Sequence, residues 1–262
     1  MDLGIKGRTA IVAGGSAGMG KSSAVALAAE GVDLVISARG EARLKAAAEE
    51  IASATGVTVV PIVADHSTAE GRARLLTACP EPDILVITCS PPPMVESYLN
   101  VGVEDWQSAV ATTMIGPIEL MRATVGGMAD RGFGRVVNIA TAAAKSPMMV
   151  RLLSGPTRSA LVNYTVALSK DFARHNVAIN NILPGMFHST AMGDRLARLS
   201  AENGTTLEDE EAKLHKMFRV PAGRFGDCDD LGAFVTMFCS RQANFLIGQS
   251  LVIDGGSVHT LF

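Results

Sequence analysis

The chain has 262 residues, of which 48% are hydrophobic and only 5% aromatic, a balance rich in Ala, Val, Leu and Ile that suits helices packed closely on a parallel sheet. Its 23 basic and 26 acidic residues give a net charge of -3 with no long block of either sign. That excludes the electrostatic footprint of a nucleic-acid or membrane-surface binder and leaves a small molecule as the expected partner.

Residues 1–8 carry an early acid and no apolar leader, and no uncharged run is long enough to cross a bilayer, so the expected location is cytoplasmic. Cys79, Cys89, Cys228 and Cys239 show no C-x-x-C spacing and read as reduced thiols without assigned chemistry. The five histidines are scattered without ligand spacing, so no metal site is expected.

The apolar run around Ile11 and Val12 predicts a buried first strand, followed by a glycine loop and a helix through 24–29. Gly14, Gly18 and Gly20 let the backbone turn tightly and approach a pyrophosphate, with Ser16 and Met19 on the same loop, so the stretch reads as a dinucleotide phosphate site. A second strand over 32–37, an amphipathic helix over 41–54, a third strand over 58–63 ending at Asp65, a helix over 68–79 and a fourth strand over 83–88 follow in regular alternation. Three prolines, Pro91, Pro92 and Pro93, stiffen the loop after strand four.

Further helices are predicted over 104–128 and 154–175, flanking a strand over 135–140, with a sixth strand over 177–183. Residues 184–220 lose the strand pattern and read as a lid of one or two short helices, its substrate-facing part at 186–220, which together with the Met-rich loop 146–150 suggests an apolar pocket. A last helix over 227–240 and a last strand over 250–253 complete a single α/β domain spanning 1–262: a doubly wound parallel sheet of about seven strands with helices on both faces.

The G-x-x-x-G-x-G spacing of Gly14, Gly18 and Gly20 resembles the short-chain dehydrogenase/reductase family, a Rossmann-type fold. Other motifs fall in that family's order: Asp65 after strand three, the stretch Asn180 to Gly185, Arg224 to Gly226, and Gly248 to Gly256. The resemblance implies an adenine contact for Asp65, although a helix cap is an equal alternative for that residue. It also implies a nicotinamide-side role for Pro184 and Gly185, with Ser189 or Thr190 binding the carboxamide. Ala38 stands at the end of strand two, where NAD readers place an acid, and Arg39 follows it. NADP(H) is therefore favoured over NAD(H), against the alternative of an ordinary solvated arginine beside Glu41.

The family's reductases use Asn, Ser, Tyr and Lys, and every one of these positions is changed here. Aligned on Gly116, Thr113 takes the Asn place; Thr141 takes the Ser place; Ser154 and Arg158 take the Tyr-x-x-x-Lys places. An aliphatic hydroxyl is a far weaker acid than a phenol, and a guanidinium does not release a proton near neutrality, so the usual proton relay is absent. Arg158 keeps a charge for the cofactor ribose. Tyr98, Lys145 and His188 are the candidates for a substitute donor, whereas Tyr164 reads as packing. The resemblance implies an NADP-dependent oxidoreductase acting on an apolar carbonyl compound or alcohol. A non-redox lyase or isomerase and a silent nucleotide-binding subunit stay open as alternatives. The family's habits further imply a homotetramer.

Overall fold

The computed structural model describes residues 1–259. Seven parallel strands form one sheet in the order β3-β2-β1-β4-β5-β6-β7. They are β1 (Thr9–Ala13), β2 (Asp33–Ala38), β3 (Val59–Val63), β4 (Ile84–Ile87), β5 (Gly134–Ile139), β6 (Val177–Pro184) and β7 (Ser250–Ile253). All residues of β4, β5 and β6 are buried, including the polar Arg135, Asn138, Asn180 and Asn181, as befits central strands covered on both faces. Pro61 lies in β3, an edge strand, where the missing N–H breaks no ladder between two neighbours.

The main helices are α1 (Gly18–Ala29), α2 (Glu41–Thr55), α3 (Ala69–Ala78), α4 (Val103–Val110), α5 (Gly116–Asp130), α6 (Ser154–Phe172), α7 (Thr190–Asn203), α8 (Leu207–Phe218) and α9 (Cys228–Cys239). Alternate side chains of each strand feed two cores. Val12, Ile36 and Val137 pack with Leu27 of α1, Leu44 of α2 and Phe238 of α9. On the opposite face, Ile11, Val35 and Leu85 pack with Leu75 of α3, Leu120 and Met121 of α5, and Leu161 of α6. Tyr164 packs against this second core.

Two segments differ from the expected pattern. The single helix expected over 104–128 is α4 and α5 joined by one wide turn of π-helix, Ala111–Ile115. His66 explains the distortion: its Nε2 lies 3.2 Å from the Thr112 carbonyl, and the next helix approaches so closely that a Cβ at Gly116 would stand 2.7 Å from the His66 carbonyl oxygen. The segment after β6 forms α7 and α8, with a third core of Met186, Met192, Leu196, Leu214, Phe218 and Phe225 set against Met94, Met148 and Val150. Thr206 and Asp209 cap α8 reciprocally, at 3.1 Å in each direction.

Strand order sets the location of the site. The chain enters at β1 in the middle of the sheet, moves outward to β2 and β3, then returns to β4 on the other side of β1. The crossovers therefore diverge at the carboxyl ends of β1 and β4 and open a crevice there.

Candidate functional site

The crevice is a cleft of about 440 Å³ over the carboxyl ends of the strands. Its floor is the loop Gly14 to Gly20. Gly14 has φ +87°, and a Cβ there would stand 2.5 Å from the Thr88 carbonyl oxygen; a Cβ at Gly20 would collide with the Gly14 carbonyl. Only bare backbone fits, so main-chain groups face the cleft at close range. No side chain caps the N-terminus of α1 and no acid occupies its first turn; α6, whose start also lines the cleft at Ser154, shares both features, whereas α3, α7, α8 and α9 are each capped by a side chain of their own. The free N–H groups of α1, with Ser16, Gly18 and Met19 beside them, are thus left for an anionic ligand.

At the end of β2, Ala38 and Arg39 line the cleft, and Arg43, one helical turn further into α2, lines it too. The solvated pairing that Arg39 could have made is not formed, because Glu41 holds Lys45 at 2.7 Å instead. Among the described residues neither Arg39 nor Arg43 has a carboxylate partner within 4.0 Å. Asp65 lines the same end. Its Oδ1 accepts from the Ser67 N–H at 2.9 Å, while the cap of α3 is Thr68, which accepts from Gly71 at 3.0 Å. Burial opposes ionisation of Asp65, yet the bonds from Ser67 and the nearby His66 and Arg39 charges hold its carboxyl below the ordinary value.

The opposite end of the cleft gathers Thr141, Ser154, Arg158, Pro184, Gly185, Ser189 and Thr190. Ser154 begins α6 and is 3% exposed. The Thr141 hydroxyl accepts from Ala143 N–H at 3.3 Å at the start of a short turn, and Ser189 caps α7, accepting from Met192 N–H at 3.3 Å. Arg158 ties two strand ends together: Nη1 donates to the Ile139 and Ala140 carbonyls at 2.8 and 3.2 Å, and Nη2 donates to the Cys89 carbonyl at 3.0 Å, with Cys89 Sγ at 3.2 Å. Its Nε is buried without a partner.

Four residues singled out from the sequence lie outside this lining. Thr113 is fully buried in the π-helical turn, where its hydroxyl bonds to the Ala109 carbonyl and Thr157 Oγ1, both at 2.7 Å; Thr112 faces the cleft instead. Tyr98 is 63% exposed on a turn outside the cleft. Lys145 is exposed after the short turn Ala142–Ala144. His188 points to Glu211 of α8, Nε2 to Oε1 3.4 Å, and stacks near Phe225.

The structure also brings in groups that spacing alone did not signal: Arg43, His66, Arg151 and Arg195, with Met94, Met186, Phe187 and Met192 forming apolar wall. The pocket is therefore apolar only in part. Arg43 alone had a visible cue, a second arginine one helical turn after Arg39. Burial pushes the His66 imidazole below its ordinary value, against the bond that its Nε2 donates to the Thr112 carbonyl. Among the described residues no cluster of potential metal ligands is found, and no helix is long and apolar enough to cross a membrane.

A glycine loop leading into an uncapped helix at the switch point of a parallel sheet defines a dinucleotide-binding α/β protein. Residues 13–258 match the family model described as Enoyl-(Acyl carrier protein) reductase, and the chain belongs to the short-chain dehydrogenase/reductase family. Among curated relatives, it is 26% identical to 3-oxoacyl-[acyl-carrier-protein] reductase FabG of Aquifex aeolicus over 98% of this chain and 99% of that one. It is 28% identical to the oxidoreductase YvaG of Bacillus subtilis over the full length of both. Among solved structures, L-sorbose reductase from Gluconobacter frateurii, complexed with NADPH and L-sorbose, superposes with a TM-score of 0.94 at 28% identity, covering 100% of both chains. A 3-oxoacyl (acyl-carrier-protein) reductase from Agrobacterium tumefaciens with NADP bound gives 0.86 at 25% identity, over 97% of this chain and 96% of that one.

Proposed function

We propose that this protein is an NADP(H)-dependent oxidoreductase of small carbonyl compounds or alcohols, in which Ser154 and Arg158 stand where the family's reductases carry Tyr and Lys. The observation that carries this reading is the pair Arg39 and Arg43, without carboxylate partners among the described residues, at the same cleft as the uncapped N-terminus of α1. A dinucleotide bearing a 2′-phosphate meets both features; one with a free ribose hydroxyl finds no acceptor at Ala38. The NADPH- and NADP-bound relatives support the same choice. Gly14, Gly18 and Gly20 hold the pyrophosphate, Asp65 faces the adenine end, and Pro184, Gly185, Ser189 and Thr190 face the nicotinamide end.

When bound, the nicotinamide supplies or accepts a hydride. The chain's own part is to bind, orient and stabilise charge. The Thr141 and Ser154 hydroxyls donate to the substrate oxygen, and Arg158, fixed by four contacts to Ile139, Ala140 and Cys89, keeps a cation beneath it. Without a phenol the proton passes through hydroxyls and solvent, so turnover of simple ketones falls roughly 10²–10⁴ below that of an enzyme with a positioned general acid. Tyr98, Lys145 and His188 lie outside the cleft lining, and no part in the chemistry is assigned to them. The segment 186–220, with α7 and α8, acts as the substrate lid within a single domain. A homotetramer is also part of this proposal, supported by the exposed apolar groups Phe234 and Met237 of α9 and Phe245 beyond it. Titration with NADPH and NADH, followed by NADPH oxidation against a ketone panel, tests the reading: NADPH binds more tightly and is consumed slowly. Equal affinities would overturn it.

A further inference from the structure

The cleft holds more cationic groups than a dinucleotide requires. Arg151, at the end of the short turn Met149–Arg151 before α6, and Arg195, in the second turn of α7, both line it on the side of Ser154 and Met192. Among the described residues neither has a carboxylate within 4.0 Å, and neither guanidinium makes a hydrogen bond; Arg195 Nε is buried with no partner. Asp194 lines the same cleft and lies beyond that distance from both. Two other arginines away from the cleft behave differently. Arg198, one turn on from Arg195, reaches Glu202 at 3.3 Å, and the fully buried Arg135 donates to the Ser240, Gly134 and Asn176 carbonyls at 2.8 to 2.9 Å.

Burial, then repulsion from Arg195 and Arg158, pushes the Arg151 guanidinium down to about 10; burial, then Arg198, lowers Arg195. These groups therefore gather like charge in a partly desolvated site without internal compensation. A partly buried cation left unpaired is destabilised, and that cost is relieved when an anion enters between the forks. The wall around them is apolar, through Met94, Met186 and Met192.

We infer that the substrate of this site carries an anionic group, a carboxylate or a phosphate, seated between Arg151 and Arg195, with its carbonyl-bearing end at Thr141 and Ser154. This rests on the reading of the cleft as the site of an NADP(H)-dependent oxidoreductase, and it adds a substrate class to it.

The test is calorimetric titration of the NADPH-loaded protein with levulinate and methyl levulinate, and with dihydroxyacetone phosphate and dihydroxyacetone. Each charged probe binds at least ~tenfold more tightly than its neutral counterpart if it is the anion class the site takes, and the advantage shrinks as salt is raised. Which pair shows the larger ratio separates carboxylate from phosphate. Arg151→Gln and Arg195→Gln each remove most of that ratio while leaving neutral-probe and NADPH affinity within about twofold. Arg151→Lys and Arg195→Lys, which keep the charge, retain part of it and guard against misfolded glutamine variants. No preference in either pair overturns the inference, as does a loss in Arg195→Gln that falls on NADPH instead. NADPH oxidation recorded on the same samples separates the two readings: anion selectivity without turnover supports the subsite and counts against the oxidoreductase, whereas fast turnover of neutral ketones with no anion preference does the reverse.

Discussion

Replacing Arg39 by alanine removes one of two cations that face the proposed 2′-phosphate, and its effect is calculable from the surroundings. Arg39 is exposed and has no protein partner among the described residues, so the substitution leaves no buried group unsatisfied and disturbs no ion pair; Glu41 stays with Lys45. A charge-assisted hydrogen bond contributes about 1.5–3 kcal/mol, and solvent screening at an exposed site puts this one near the lower end. About 1.5 kcal/mol corresponds to a little over tenfold in Kd. NADPH affinity should fall by about tenfold in Arg39→Ala and by roughly a hundredfold when Arg43→Ala is added. NADH, without the 2′-phosphate, should change less than about twofold in either variant. Ala38→Asp combined with Arg39→Ala should reverse the preference, since a carboxylate there accepts from a free ribose hydroxyl and repels a phosphate. Quenching of protein fluorescence or calorimetry at fixed, moderate salt reads both affinities for the parent and each variant. Parallel losses of NADPH and NADH, or an unchanged preference in the double alanine variant, would refute the assignment of these arginines.

Arg135→Met removes a donor from the buried Ser240 and Gly134 carbonyls and from the part-buried Asn176 carbonyl, which keeps the Gly134 N–H, offset by removing a desolvated charge whose burial already pushes it down to about 10. Thermal melts should show a loss of about 2–4 kcal/mol, roughly 5–10 °C in Tm, and an unchanged Tm would contradict the structural role of this residue. Glu210, in the first turn of α8, is pushed down to about 2 by bonds from Lys213, Thr205 and Asn203. Its folded value lies below the ordinary 4.5, so its stabilisation is complete above that pH and is lost as pH falls toward 2. His66 acts in the same direction, because burial lowers its value from 6.5 and protonation then favours the unfolded chain. Acid melts of Glu210→Gln should therefore show a flatter loss of stability below pH 4.5 than the parent protein; identical acid limbs would count against the carboxylate network. Light scattering at micromolar concentration should give a tetramer, and a monomer would remove the proposed assembly.

Much of the fold was legible because parallel strands covered on both faces are rich in Val, Ile and Leu, as β1, β2, β4, β5 and β6 are despite buried polar residues such as Arg135, Asn138, Asn180 and Asn181. The phosphate loop was legible for a related reason. Side chains are sterically barred at Gly14 and Gly20, so the requirement is written directly as glycine. The π-helical turn was not, since it arises from His66 reaching a carbonyl from another part of the chain. That turn buries Thr113 and turns Thr112 to the cleft, a distinction no spacing rule for a regular helix could make. Asp65 had two readings because the same polar side chain can close a local turn and line a cleft; here it closes a turn with Ser67 and lines the cleft, while the cap of α3 is Thr68, and Ser189 likewise lines the cleft while capping α7. Arg151 and Arg195 were silent because Arg195 beside Asp194 looks solvated and Arg151 lies in a loop without a motif; only the packing of α7 against Met148 and Val150 of that loop brings the two into one cleft.

The most direct measurement is NADPH oxidation by the parent protein, by Ser154→Ala and by the pair Ser154→Tyr with Arg158→Lys, on the same ketone panel. The parent should be slow, Ser154→Ala should lose only a few-fold, and the rebuilt phenol and ammonium should raise the rate by an order of magnitude or more, toward the roughly 10²–10⁴ that a positioned general acid supplies. Melting curves and NADPH titration of the rebuilt protein check that losing the Arg158 ties to Ile139, Ala140 and Cys89 has not cost the fold. Brisk turnover by the parent, with Ser154→Ala losing as much as the removal of a true acid, would contradict the proposed hydroxyl-and-guanidinium site.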